Sequence, residues 1–202
     1  MKYVKILSLA AVAAMALMAF TASSAFATGG GLYNGATKLV AGKTLDFTIP
    51  SGGSANLVDT SGNTLDKCTG STVKGELTNA GSSTVNPTGT ITSLTWTGCT
   101  FTTTTLAPGK LQAEWTSGTT GIVKSDAQIE VTINTVLFGS CIYGVASGTS
   151  LGTLTTNSTT TATFDANAVA TRFGSNVACP ATSKWTGSYT STEPDNLRIE
   201  AS

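Results

Sequence analysis

The stretch Lys110-Leu111-Gln112-Ala113-Glu114-Trp115 alternates strictly between apolar and polar residues. In an extended chain Leu111, Ala113 and Trp115 fall on one face, and Gln112 and Glu114 on the other. Ala127-Gln128-Ile129-Glu130-Val131-Thr132-Ile133-Asn134 repeats the design, with Ile129, Val131 and Ile133 opposed to Gln128, Glu130 and Thr132. A period of two marks a half-buried strand, because successive side chains leave opposite faces of the pleat. Upstream, residues 44–49 set Leu45, Phe47 and Ile49 against Thr44, Asp46 and Thr48, and Pro50-Ser51-Gly52-Gly53 ends the run. Residues 136–145 are more continuously apolar and carry Cys141, which predicts a central strand. Further strands are expected over 54–59, 63–68, 71–78, 88–101, 151–156, 160–164, 168–173, 184–192 and 196–201, the last with Leu197 and Ile199 inward.

The composition agrees. Thr makes up about a fifth of residues 28–202, and its branched Cβ suits a pleated surface. Gly, Ser and Asn punctuate the chain at short intervals, as turns between short strands require. No segment beyond residue 27 has helical periodicity. The expected fold is all-β: one antiparallel β-sandwich, or flattened barrel, of roughly ten to twelve short strands. Its domain spans 44–202, after a flexible lead-in over 28–43 that opens Gly29-Gly30-Gly31. A low-complexity stalk is disfavoured by the clean alternation and by only five prolines.

Residues 1–27 look like an export leader. Lys2 and Lys5 precede an apolar run from Ile6 to Phe20, and Ala25-Phe26-Ala27 supplies an A-x-A cleavage site. The product is expected outside the cytoplasm: extracellular, at the cell surface or periplasmic. The full chain carries 11 basic and 11 acidic residues; without Lys2 and Lys5, nine basic residues face eleven acidic ones. That balance argues against nucleic acid as a partner. No later apolar run approaches the roughly 18 residues of a spanning helix, so no membrane insertion is expected after cleavage.

Cys68, Cys99, Cys141 and Cys179 form an even set, which in an exported domain suggests two disulfides with three possible connectivities. Cys68–Cys99 with Cys141–Cys179 is the expected pairing. The spacing is not that of a zinc site, and the chain has no His.

The missing histidine also removes Ser-His-Asp and Cys-His catalysis. With the thiols oxidised and no G-x-S-x-G, S-x-x-K or phosphate-cradling loop, no catalytic residue is assigned and no cofactor or metal is expected. A carboxylate pair is the remaining route to hydrolysis. Asp126 and Glu130 would share a strand face but stand roughly 13 Å apart; Glu114 and Asp165 would need to meet across strands. Solvated surface charge is the expected role of all four. Asp59-Thr60-Ser61-Gly62-Asn63 with Asp66 offers oxygens for Ca²⁺ but lacks the spacing of an EF-hand loop, and reads as a hairpin turn. Asn157-Ser158-Thr159 matches the glycosylation sequon. Trp96 and Trp115 are expected in the core, Trp96 beside the Cys99 disulfide. Trp185 and Tyr189 lie four apart with Gly187 between them, a possible platform for stacking on a sugar if their face is exposed, and a core pair if it is not.

Three blocks carry a resemblance. Cys68-Thr69-Gly70-Ser71-Thr72-Val73-Lys74-Gly75, then Thr88-Gly89-Thr90-Ile91-Thr92-Ser93-Leu94-Thr95-Trp96-Thr97-Gly98-Cys99-Thr100, then Cys179-Pro180 through Trp185 to Tyr189 resemble small secreted bacterial proteins, chiefly actinobacterial. That family's pattern is C-x-x-S-x-V-x-G, T-G-T-I-T-S-L-T-F-T-G-C-T and C-P-x-x-x-x-W-x-x-x-Y. The likeness runs from about Cys68 to Ala201 and departs at Leu106-Ala107-Pro108-Gly109 and Trp115. It implies an exported all-β domain and no particular reaction, ligand or catalytic residue. The chain is also similar, in size, Thr content and scarce charge, to secreted alkane-oxidation activator proteins of pseudomonads.

These readings lead to a secreted, non-enzymatic domain that binds a polysaccharide or a cell-envelope component, or belongs to the surface. A carboxylate-dependent glycoside hydrolase and an amphiphile- or hydrocarbon-associated accessory protein are the alternatives. The last predicts an apolar cavity between the sheets.

Overall fold

The computed structural model describes residues 29–156 and 161–202. The expected leader and the 157–159 sequon lie outside them. The described residues form fifteen strands and no helix: β1 (Gly30–Asn34), β2 (Thr37–Lys38), β3 (Thr44–Thr48), β4 (Ala55–Asp59), β5 (Thr64–Asn79), β6 (Thr88–Cys99), β7 (Thr102–Ala107), β8 (Lys110–Ser117), β9 (Thr120–Ala127), β10 (Ile129–Thr135), β11 (Gly139–Val145), β12 (Ser150–Thr155), β13 (Thr163–Phe173), β14 (Thr182–Glu193) and β15 (Leu197–Ala201).

Twelve of these build one antiparallel sheet, and that sheet closes on itself. The long strands β5, β6, β13 and β14 run through the wall. Toward one end the ring is β5–β6–β8–β9–β12–β13–β14–β3 and back to β5, each step an antiparallel ladder. Toward the other end β4 replaces β3 between β14 and β5, and β11–β10–β7 continues from β13. There β7 meets β6 through side chains: Trp96 Nε1 donates to Thr105 Oγ1 at 3.2 Å, and Thr105 Oγ1 donates to the Leu94 carbonyl at 2.7 Å. The result is a flattened barrel, whose eight-strand ring pairs the strand edges at one end while side chains join β6 to β7 at the other.

Alternation sorts the side chains. On β10, Val131 and Ile133 are buried, and on β13 Ala166, Ala168 and Ala170 are buried while Asp165, Asn167 and Val169 are exposed. Each fully buried Leu, Ile or Val contributes about 1.5–3 kcal/mol.

The lead-in is not a loose segment. Gly30–Asn34 pairs with β15 from Gly30↔Ala201 to Asn34↔Leu197, and β2 completes a three-stranded sheet. Leu32, Leu197 and Ile199 are buried in the same core cluster as Leu77 and Val123, so this small sheet plugs the first end of the barrel. Ile199 N donates to Thr156 Oγ1 at 3.2 Å, which fastens the plug. The glycines read as flexible serve close approach: a Cβ on Gly30 would lie 2.5 Å from the Trp115 Cβ.

Other expectations are corrected too. Residues 63–68 and 71–78 are one strand, β5, and 160–164 and 168–173 merge into β13. The central strand expected over 136–145 begins only at Gly139. Val136-Leu137-Phe138 forms its turn, closed where Thr135 Oγ1 accepts from Phe138 N at 2.9 Å and donates to the Gly139 carbonyl at 3.1 Å. β7 is nearly all Thr and so lacks apolar alternation, and β9 escaped because Lys124 and Asp126 obscure its pattern.

Both disulfides follow the expected pairing. Cys68–Cys99 joins register partners on β5 and β6. Cys141–Cys179 ties β11 to the β13–β14 connection. No free cysteine remains, which agrees with an oxidising compartment.

Candidate functional site

The inner wall encloses apolar space. Small side chains open the part nearer β11: Ala166, Ala168 and Ala170 follow one another on the inward face of β13, where larger residues would fill the second of two lobes. A first lobe of about 90 Å³ lies under the plug, against Leu32, Leu45, Leu77, Leu154 and Leu197. A second of about 110 Å³ is bounded by Leu57, Trp96, Val131, Tyr143, Ala168 and Trp185. Val73, Ile91, Leu111 and Phe164 line both lobes, so the two are neighbours along one axis. Their surface is carbon almost throughout.

Trp185 and Tyr189 share a strand face, and that face is the interior. Tyr189 is 1 % exposed and donates to Ser71 Oγ at 3.1 Å. Trp185 packs edge-on against Trp96 with ring centroids 4.3 Å apart. Gly187 leaves the room they need, since a Cβ there would meet Ile49 at 3.2 Å and the Tyr189 ring at 3.3 Å. The pair therefore lines the second lobe rather than presenting an exposed platform.

Beyond the second lobe, at the end away from the plug, is a hollow of about 140 Å³ against Leu65, Phe101, Ile133, Leu137, Phe138 and Tyr143. Tyr143 borders both spaces. It is 2 % exposed, and its Oη has no hydrogen-bond partner among the described residues. Burial pushes the Tyr143 phenol up from its ordinary pKa, opposed by the positive charge of Arg172. Burial raises Tyr189 in the same direction, against its hydrogen bond to Ser71. Both groups stay neutral in the fold but ionise near pH 10 once unfolded, so their contribution is complete below about pH 10 and is lost as pH rises beyond it. Thermal midpoints should hold steady up to that pH and then fall. Tyrosinate absorbance should lag behind the value for three free phenols, Tyr33, Tyr143 and Tyr189, until unfolding; a full rise in folded protein would contradict the burial.

The sequence-derived carboxylates do not assemble. Glu114 pairs with Lys124, Glu130 accepts from Gln128, and Asp126 and Asp165 are exposed. None of the four lines the cavities described above. An acidic pair that sequence reasoning overlooked, Glu193 and Asp195, borders a polar cleft of about 340 Å³ with Lys43; only the pairing of β14 with β3 brings Lys43 there.

Asp59 and Asp66 part company. Asp59 accepts from Ser61 N, Asn63 N and Asn63 Nδ2, each at 2.8 Å, and these bonds, the Asn63 side chain first, lower its pKa. Asp66 is buried on the other side of the hairpin, accepting from Phe101 N at 3.1 Å and Thr103 Oγ1 at 2.5 Å. It stands beside Cys68 and Cys99, but those sulfurs are bonded to each other.

Comparison with protein-family models, with curated proteins and with solved structures finds no match.

Proposed function

We propose that this chain is an exported, non-enzymatic barrel that takes up a small apolar or amphiphilic molecule in its interior. The observation that carries the reading is the pair of carbon-lined lobes inside the barrel. Apolar cavities of this order stay dry and accept small hydrocarbons, because no polar group rewards water for entering. Support also comes from the chemistry on either side. The leader-like N-terminus and two disulfides suit a protein working outside the cytoplasm, where such molecules must be captured from water. The similarity to secreted alkane-oxidation activators points the same way. The polysaccharide reading loses its platform, since Trp185 and Tyr189 face inward, and no aromatic stands among the large exposed hydrophobics of the described residues.

The test is uptake of n-octane by the oxidised domain, read from headspace depletion. Saturable binding near one molecule per barrel is expected. Ala168→Phe, which fills the second lobe, should weaken it at least tenfold while circular dichroism stays β. Overpacking costs about 1–3 kcal/mol, so the milder Ala170→Leu serves as a second variant. No saturable uptake, or uptake indifferent to both substitutions, would overturn the reading.

A further inference from the structure

We infer that the guest is an amphiphile with one acceptor oxygen, held by the Tyr143 hydroxyl at the far end of the second lobe. This rests on the reading of the barrel as a carrier and adds the polarity of what it carries.

Among the residues lining the second lobe, Tyr143 carries a hydroxyl with no partner among the described residues. Its neighbours Cys141 and Val145 share its inward face and satisfy no polar group. The two buried tyrosines contrast directly: Tyr189 donates to Ser71, whereas Tyr143 Oη has no partner among the described residues. A buried hydroxyl without a partner costs about 1–3 kcal/mol, and such groups are rare enough that each calls for a reason. The hydroxyl is covered, so a chain lying through the two lobes with its oxygen toward β11 would supply the missing acceptor once the Tyr143 ring tilts to meet it. Cation chemistry is close by. Arg172 is the register partner of Tyr143 on β13 and follows Ala166, Ala168 and Ala170 on the inward face. Its Nη1 is anchored on the Cys179 carbonyl at 2.6 Å, so the Cys141–Cys179 disulfide and the guanidinium are held at one end of the barrel. Alcohol, carbonyl and carboxylate oxygens all meet this description; a plain alkane does not.

The experiment compares n-octane, 1-octanol and octanoate as competitors of an environment-sensitive apolar dye, in the wild-type domain and in Tyr143→Phe. Removing the hydroxyl should weaken 1-octanol and octanoate about tenfold and leave n-octane within twofold. Octanoate preferred over octanol identifies a carboxylate head beside Arg172; the reverse order identifies a neutral one. The thermal midpoint of Tyr143→Phe should equal or exceed wild type, because an orphaned hydroxyl is removed; a structural hydrogen bond would show as a drop. If n-octane binds but Tyr143→Phe changes all three ligands equally or none, the inference fails and the carrier reading stands. If no ligand displaces the dye, both fail.

Discussion

Replacing Cys141 and Cys179 together by serine is expected to destabilise the domain by about 3–4 kcal/mol. The bridge spans 38 residues in sequence, and in the chain-entropy model a cross-link of that span restricts the unfolded chain by about this amount. The structure adds a local consequence. Cys179 belongs to the connection between β13 and β14, which otherwise touches the wall through few bonds: Asn176 Nδ2 to the Phe138 and Ser140 carbonyls, the Arg172 side chain to the Cys179 carbonyl, and Arg172 N to the Ala181 carbonyl. Without the bridge this connection should open independently of the barrel. Urea denaturation should register the global loss, and the thermal midpoint should fall by about 10 °C for a chain of this size. Amide exchange should accelerate over 174–181 well before it does in β5 or β6. The Cys68–Cys99 pair makes the control. Its serines should produce a similar global loss, since the span is 31, but little local opening, because the β5–β6 ladder holds both residues in register. A change below 1 kcal/mol in the first variant would contradict the account.

Asp66→Ala should destabilise by about 3 kcal/mol or more. Asp66 is 1 % exposed and joins three parts of the chain: its own hairpin through Lys67 N at 2.9 Å, the β6–β7 turn through Phe101 N, and β7 through Thr103 Oγ1. Truncation leaves the Phe101 amide and the Thr103 hydroxyl without their acceptor in a buried setting, and that desolvation exceeds the value of the bonds themselves. The effect should centre on β7, which has a backbone ladder to β10 but meets β6 through side-chain bonds. Asp66→Asn keeps one acceptor oxygen but turns an NH₂ toward donors, so its midpoint in urea should fall between Ala and wild type. An Ala variant as stable as wild type would mean that the turn finds other partners.

The strands were legible because alternation is a local property. Leu111, Ala113 and Trp115, and Ile129, Val131 and Ile133, lie inward as their spacing dictates. Legibility stopped where a residue's role depends on what lies across the barrel. Gly30 reads as slack until Trp115 is set against it. Val136 and Leu137 read as core by hydropathy, yet they are 89 % and 85 % exposed, because the Thr135 hydroxyl closes a turn there. Asp59 and Asp66 read as one oxygen-rich turn until the β4–β5 pairing directs one outward and the other into the wall. The candidate site was less visible still. Ala166, Ala168 and Ala170 have a clear period of two, but a row of alanines announces a cavity only when the opposite wall is known to stand too far away to fill it.

By itself, then, the order of residues determined that the chain is extended, which side chains turn inward along each strand, and that four cysteines are there to form two bridges, while their pairing was decided in three dimensions. The first two follow from the pleat and need no distant partner. Closure of twelve strands into a barrel, the plug made from a segment that looked loose, and the unpartnered phenol at the end of an apolar space were decided only by tertiary structure. Each of those depends on distances between residues far apart in sequence, and such distances are set by packing the whole wall at once.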